Sequence, residues 1–143
     1  MLAMMESRFA AVVGRESPPR VYDIERGHIH RFCAAVGDDN PAYFDDTVAR
    51  IPAPPTFATA LRPNDPREGV DIDFRKLLHG EQEFVYERPI YSGDRLTVVG
   101  RIAEAYVKEG KAGVMDFLVT ETRATDGDGK LVFTARSTAV IKR

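Results

Sequence analysis

Tryptophan is absent from this 143-residue chain, and cysteine occurs once, as Cys33. A single cysteine excludes an internal disulfide and any cysteine-rich zinc site. Uninterrupted apolar runs stop far short of the ~20 residues needed to cross a bilayer, so no membrane span is expected. An excess of positive charge is also missing: 20 Lys plus Arg stand against 22 Asp plus Glu, a net charge of −2. Nucleic acid is thereby disfavoured as the main partner, because phosphate contacts leave a basic excess on the domain that makes them. The opening Met1-Leu2-Ala3-Met4-Met5-Glu6 has neither the basic start nor the long apolar stretch of a signal peptide. A cytoplasmic location is the expectation. The glycines form no P-loop or dinucleotide fingerprint, and Asp38, Asp39, Asp45 and Asp46 lack EF-hand spacing. Neither a nucleotide cofactor nor a metal is expected.

What is present is ordinary globular material. Apolar residues make up 43 % and charged residues 29 %, which argues against bulk disorder. The length fits one domain spanning residues 1–143, and a domain of that size buries roughly 68–70 % of its unfolded surface. No internal repeat is visible.

The first half reads as helical and rich in turns. Residues 4–13 carry Met5, Phe9, Val12 and Val13 on one side of a short amphipathic segment that Gly14 ends. Arg20-Val21-Tyr22 has the composition of a short strand. A clearer helix follows, with Asp23 as its N-cap, Glu25 in its first turn and Gly37 as its stop. Ile29, Phe32, Cys33 and Val36 form its apolar stripe, which makes Cys33 a small core residue. His28 and His30 lie two apart, hence on different faces, and are expected in solvent. Gly37-Asp38-Asp39-Asn40-Pro41 is built for turns, because Asx side chains bond nearby backbone amides and Pro41 biases Asn40 away from helix. Residues 51–66 hold Pro52, Pro54, Pro55, Pro63 and Pro66, which predicts an ordered, irregular connection with a helical turn begun at Pro55.

The second half reads as strands. Phe84 and Tyr86 alternate with charged neighbours until Pro89 interrupts them, and Ser92-Gly93-Asp94 turns the chain. Lys108-Glu109-Gly110-Lys111 and Asp126-Gly127-Asp128-Gly129 read as hairpin turns joining three long strands. Leu96, Val98, Val114, Phe117, Val119, Leu131, Phe133, Val140 and Ile141 supply apolar material for the buried face. An early helix on a long antiparallel sheet is an α+β arrangement. One helix cannot cover such a sheet, so pairing edge to edge with another chain is expected.

Three segments together resemble a known family. Phe32-Cys33-Ala34-Ala35-Val36-Gly37-Asp38-Asp39-Asn40-Pro41-Ala42-Tyr43 is similar to the signature of the MaoC-like, (R)-specific enoyl-thioester hydratases and dehydratases, Gly-Asp-x-Asn-Pro-(aliphatic)-His after an apolar helix. Ala53-Pro54-Pro55-Thr56-Phe57 resembles the start of the central helical region in the branch related to fungal fatty-acid-synthase dehydratase domains. His79-Gly80-Glu81-Gln82-Glu83-Phe84-Val85-Tyr86-Glu87-Arg88-Pro89-Ile90, followed by Gly93-Asp94-Arg95-Leu96, resembles the strand after it. The resemblance covers roughly residues 8–142.

It implies a hot-dog fold, a long antiparallel sheet wrapped around a helix, paired into a double hot dog. It further implies addition or removal of water at the 2,3 bond of an acyl group carried on coenzyme A or acyl carrier protein. No cofactor is implied. The family's Asp and its His five positions later hold and deprotonate the catalytic water, while a backbone amide polarises the thioester carbonyl. Asp38 and Asn40 match that motif, and Asp38 is expected at a partly buried cleft. Tyr43 stands at the position of the His. A phenol with a pKa near 10 is no base at pH 7, though it can donate a hydrogen bond or act as an acid. The reading favoured here is a hydratase/dehydratase with an atypical site of Asp38, Asn40 and Tyr43; the alternative is a non-catalytic acyl-binding subunit of a heterodimeric dehydratase. A homodimer, or a heterodimer with another MaoC-like chain, is expected. Pro55, Thr56, Phe57 and His79 are the expected substrate contacts. Asp38 and Asn40 also make an ordinary helix exit, and His79 an ordinary turn residue.

Overall fold

The computed structural model describes residues 5–143. Strand β1 (Arg20–Asp23) leads into helix α1 (Arg26–Val36), and β2 (Leu77–Tyr86), β3 (Arg95–Gly110), β4 (Gly113–Thr125) and β5 (Leu131–Lys142) follow. They form one five-stranded sheet in the order β1-β3-β4-β5-β2, and every pairing is antiparallel. The α+β expectation holds, with β1 and β2 at the two edges.

Helix α1 lies against this sheet because Ile29 and Cys33, both fully buried, meet Leu96 and Val98 of β3, Ala124 of β4 and Val132 and Phe133 of β5. Burying a side chain of that size is worth about 1.5–3 kcal/mol. Ile51, Phe57, Leu61 and Ile90 complete the cluster from the irregular connection and the loop after β2. A second cluster, Phe9, Ile72, Ile102, Leu118 and Ile141, fills the far end of the sheet. The proline-rich connection is ordered, with a 3₁₀ turn at Phe57–Ala60. Its later part crosses β3 at Gly100, where an added Cβ would lie 2.9 Å from a Pro63 ring carbon. Only glycine fits under that crossing.

Several local expectations are corrected. Residues 5–13 form only a 3₁₀ turn at Ala10–Val12, and Met4 lies outside the described residues. Phe9 is buried, but Met5 and Val13 are exposed. Ser7 and Arg8 are tied to Asp116 on β4, and a segment this short gains too little from helix propagation to resist that pull. Asp23 is not the N-cap of α1. It ends β1 and pairs with Arg95 at 3.1 Å, while Glu25 takes the cap position. Val36 leaves the apolar stripe and is exposed. The first hairpin turns at Lys111-Ala112, since Gly110 and Gly113 are register partners. Val114, Phe117, Leu131 and Val140 are only half-buried, and Phe117 stacks on Tyr106 with Lys108 over the pair. Leu118 and Val132 take buried places instead. His28 and His30 are half-buried rather than solvated: His28 meets the Phe57 ring edge-on at 4.9 Å, and His30 stacks on Phe44 at 5.2 Å.

Candidate active site

The end of α1 shapes the candidate site. Gly37 adopts φ 73°, the left-handed conformation that closes a helix without a Cβ penalty. The Gly37 amide donates to the Ala34 carbonyl at 3.4 Å and the Asp38 amide to the Cys33 carbonyl at 2.9 Å. This Schellman pair satisfies the last carbonyls of the helix and points the chain outward. Two Asx bonds then wind the next turn. Asp38 Oδ1 accepts from the Asn40 amide at 3.1 Å, and Asn40 Oδ1 accepts from the Ala42 amide at 3.1 Å. Asn40 thus caps a 3₁₀ turn, Pro41–Tyr43, with proline at its first position. The turn sets Tyr43 half-buried against the core.

Tyr43 lines an open cleft of about 530 Å³ with Asn40 and Ala42. One further wall is residues 52–55, and the other is residues 86–90 that leave β2. The Ala53 amide donates to the Ile90 carbonyl at 2.8 Å, and Ile51 and Ser92 exchange bonds of 2.9 Å through amide, hydroxyl and carbonyl. Farther along, the Tyr86 hydroxyl donates to the Pro55 carbonyl. Arg26 holds the chain between Tyr43 and this wall by donating to the carbonyls of Asp45 at 2.8 Å and Ala49 at 3.1 Å. Glu87, Arg88 and Asn40 are the polar members of a lining otherwise made of Ala, Pro, Tyr and Ile. Arg88 is fixed by the buried Asp94, Nη1 to Oδ2 at 2.8 Å, and Arg50 pairs with the same carboxylate. Burial pushes the Asp94 carboxyl up, but its bonds from Arg88 and the Tyr91 amide outweigh that and hold it low.

The electrostatics keep the site's phenol protonated. Burial raises the Tyr43 pKa and the negative charge of Asp38 raises it further. Burial and the same carboxylate also push the Cys33 thiol up, so Cys33 is a core thiol, not a nucleophile.

The sequence-predicted residues fall in different places. Asn40, Tyr43 and Pro55 line the cleft. Asp38 is half-buried at its edge and reaches it through Asn40. Thr56 is exposed, its carbonyl accepting from the Thr59 hydroxyl at 2.7 Å. Phe57 is fully buried, edge-on to Phe32. His79 is exposed on β2 with Nε2 3.2 Å from the Ser137 hydroxyl. Ala42, Pro52, Ala53, Pro54, Tyr86, Glu87, Arg88, Pro89 and Ile90 also line the cleft; the prolines and the 86–90 segment carried the signal, as rigid connection and strand exit. Among the described residues, no group of three or more His, Cys, Asp or Glu is placed to hold a metal, and no helix is long and apolar enough to cross a membrane.

A five-stranded antiparallel sheet packed on one helix, with a Gly-Asp-x-Asn-Pro turn at the helix exit, is the hot-dog architecture of the MaoC-like dehydratases. The chain belongs to the family described as the FAS1-like dehydratase domain region, whose model matches residues 11–135. It is 35 % identical to a "UPF0336 protein" of Saccharopolyspora erythraea, over 91 % of this chain and 88 % of that one. A "UPF0336 protein" of Streptomyces griseus is also 35 % identical, over 91 % of this chain and 92 % of the relative. Among solved structures, the HadBC (3R-hydroxyacyl-ACP dehydratase) complex of Mycobacterium tuberculosis superposes with TM-score 0.73 at 28 % identity, covering 90 % of this chain and 96 % of that one. A MaoC-like dehydratase gives TM-score 0.77 at 26 % identity, covering 92 % of this chain and 42 % of that one.

Proposed function

We propose that this chain is the acyl-holding member of a 3-hydroxyacyl-thioester hydratase/dehydratase, one hot-dog unit over residues 1–143. In this reading the acyl group of a coenzyme A or acyl-carrier-protein thioester lies in the cleft. A second MaoC-like chain brings the Asp–His pair that moves the water proton. The observation that carries the reading is the character of the cleft: apolar walls, and a phenol held protonated where the reaction needs a base. All three imidazoles of the chain sit elsewhere, at His28, His30 and His79. A matched general base is worth about 10²–10⁴-fold, and this site forgoes it.

Pairing with a second chain is supported by β2. Residues 78–83 of this edge strand are exposed, and the side away from β5 offers unpaired backbone groups. A solved relative that is itself a complex, HadBC, points the same way.

Hydration of crotonyl-coenzyme A, followed by loss of the enone absorbance, tests this. The chain alone should be at least about a hundredfold slower than the same chain mixed with a MaoC-like chain that retains the His, within the span a general base supplies. Tyr43→His alone should not restore the missing rate, because Asp38 lies at the cleft edge rather than along it. A chain fast by itself that slows on Asp38→Ala would instead make it an enzyme in its own right, with Tyr43 as hydrogen-bond donor or acid. A mass near 15.9 kDa in light scattering, with the partner present, would count against the pairing.

A further inference from the structure

We propose that the Tyr86 hydroxyl latches the Pro55 end of the 52–55 wall across the cleft and so determines which acyl lengths the cleft admits. The inference rests on the acyl-binding reading and adds to it a residue that sets selectivity.

The wall formed by residues 52–55 is well held at its start, where Pro52 bridges to Tyr91 and Pro54 is buried, and little held at its Pro55 end. Pro54 and Pro55 have no amide hydrogen, so no ladder bond can run from them to the neighbouring strand. Ala53 is tied to the Ile90 carbonyl at 2.8 Å, and beyond it the amide of Phe57 only closes a local turn onto the Pro54 carbonyl at 2.9 Å. Phe57 itself is locked in the core. Between these two anchors, the bond from the Tyr86 hydroxyl to the Pro55 carbonyl is the tie to the opposite wall among the described residues. Pro55 and Thr56 are exposed, so nothing packs outside them. Pro55 and Thr56, the exposed end of the wall, can swing outward only if that bond opens.

Tyr86 is suited to hold it. Its ring is wedged between Phe84 at 6.3 Å and the fully buried Phe133 at 5.8 Å, which fixes where the hydroxyl points. Burial pushes its pKa up to about 12, against a smaller opposing effect of the Ala58 amide, so the donor proton stays in place at any physiological pH. Tyr86 and Pro55 both line the cleft, and the bond between them joins its two walls. With the latch closed the end of the cleft is fixed. With it open the apolar wall yields room for further methylenes, each worth about fourfold in affinity when buried.

Tyr86→Phe removes the hydroxyl and keeps the ring and its packing. On the full chain, hydrogen exchange at the Phe57 amide, which bonds the Pro54 carbonyl at 2.9 Å, should quicken about fivefold, the size of one lost hydrogen bond, with β4 amides as the internal reference. Calorimetric titration with saturated acyl-coenzyme A of four, eight, twelve and sixteen carbons gives the second readout. The ratio of sixteen-carbon to four-carbon affinity should rise at least about fourfold over wild type. Unchanged exchange in the variant overturns the latch, whatever the chain binds. Faster exchange with an unaltered length profile overturns the selectivity and leaves the acyl reading standing. Failure of both proteins to bind any of the four thioesters overturns the acyl reading, and the selectivity with it.

Discussion

Asp116 and Asp38 show two uses of a carboxylate in one chain. Asp116 on β4 is completely buried and accepts from the Ser7 hydroxyl at 2.8 Å and the Arg8 amide at 3.1 Å. It also takes Arg8 Nε at 2.9 Å and Arg143 Nε and Nη2 at 2.9 and 3.3 Å. Those bonds fill its acceptor sites and join both ends of the described chain to the middle of the sheet. Asp38, half-buried at the cleft edge, accepts only the Asn40 amide among the described residues. The first carboxylate has no capacity left for a ligand. The second keeps most of its capacity and directs its charge at the Tyr43 phenol. Satisfaction, more than burial, separates a staple from a site.

The sharpest way to break that comparison is to remove the staple. Asp116→Ala should cost about 1.5–3 kcal/mol in urea unfolding, the worth of hydrogen bonds to a charged group, because it leaves the buried Ser7 hydroxyl without its acceptor while the partly exposed Arg8 and Arg143 guanidinium groups turn to water. The pH dependence carries the same signature. Burial alone would raise the Asp116 pKa, but the bonds from Arg143, Ser7 and Arg8 hold it well below the ordinary carboxylate range. A depressed folded pKa means the stabilisation is complete above about pH 3.9, the unfolded value, and fades as pH falls below it. Asp116→Asn should flatten that acid limb. If it does not, the staple is not what holds the termini.

The cleft fails at the other end of the scale. Tyr86 titrates near 12 in the fold against 10 when free, since burial disfavours the phenolate. A raised folded pKa leaves stability intact below pH 10 and removes it as the pH climbs towards 12, by at most about 2.7 kcal/mol at 1.36 kcal/mol per unit. Tyr86→Phe should make this alkaline limb shallower, leaving the share that the raised Tyr43 and Cys33 contribute. Denaturant midpoints measured from pH 9 to 12 on both proteins decide it.

The difference between the two regions also explains what could be read in advance. The helix exit was legible because its bonds are local: Asp38 to Asn40 and Asn40 to Ala42 each span two residues, and Gly37 ends the helix through its own torsions. The staple was not, because Asp116 meets its partners 109, 108 and 27 positions away. The strand-rich second half was visible in its turns, but two glycines flanking Lys111-Ala112 left the hairpin register ambiguous by two residues. In the cleft, Asn40 and Tyr43 were readable from the turn, whereas the 86–90 wall exists only once residues 52–55 fold back over it. Phe57 belongs to an apolar segment beside the cleft, yet its size takes it into the core with Ile29 and Leu61. His28 and His30 were expected in solvent because helical spacing cannot foresee the aromatic rings that later elements bring against them.

The smallest effect is the one that tests the comparison most directly. Asp38→Ala removes one Asx bond at a half-exposed position, together with a charge that enters no ion pair among the described residues. An ordinary hydrogen bond contributes about 0.5–1.5 kcal/mol, and the Asn40 amide released here can turn to water. The expected loss is therefore below about 1 kcal/mol, less than for Asp116→Ala. The same substitution should lower the Tyr43 pKa, because the Asp38 charge now raises it. The phenolate absorbance of the variant would show that shift against wild type, with Tyr43→Phe identifying the transition. A destabilisation equal to that of Asp116→Ala would mean Asp38 is a second staple, and its place at the cleft edge would then reflect folding alone. A mild loss of stability accompanied by a lower Tyr43 pKa would mean that the carboxylate acts on the cleft more than on the fold.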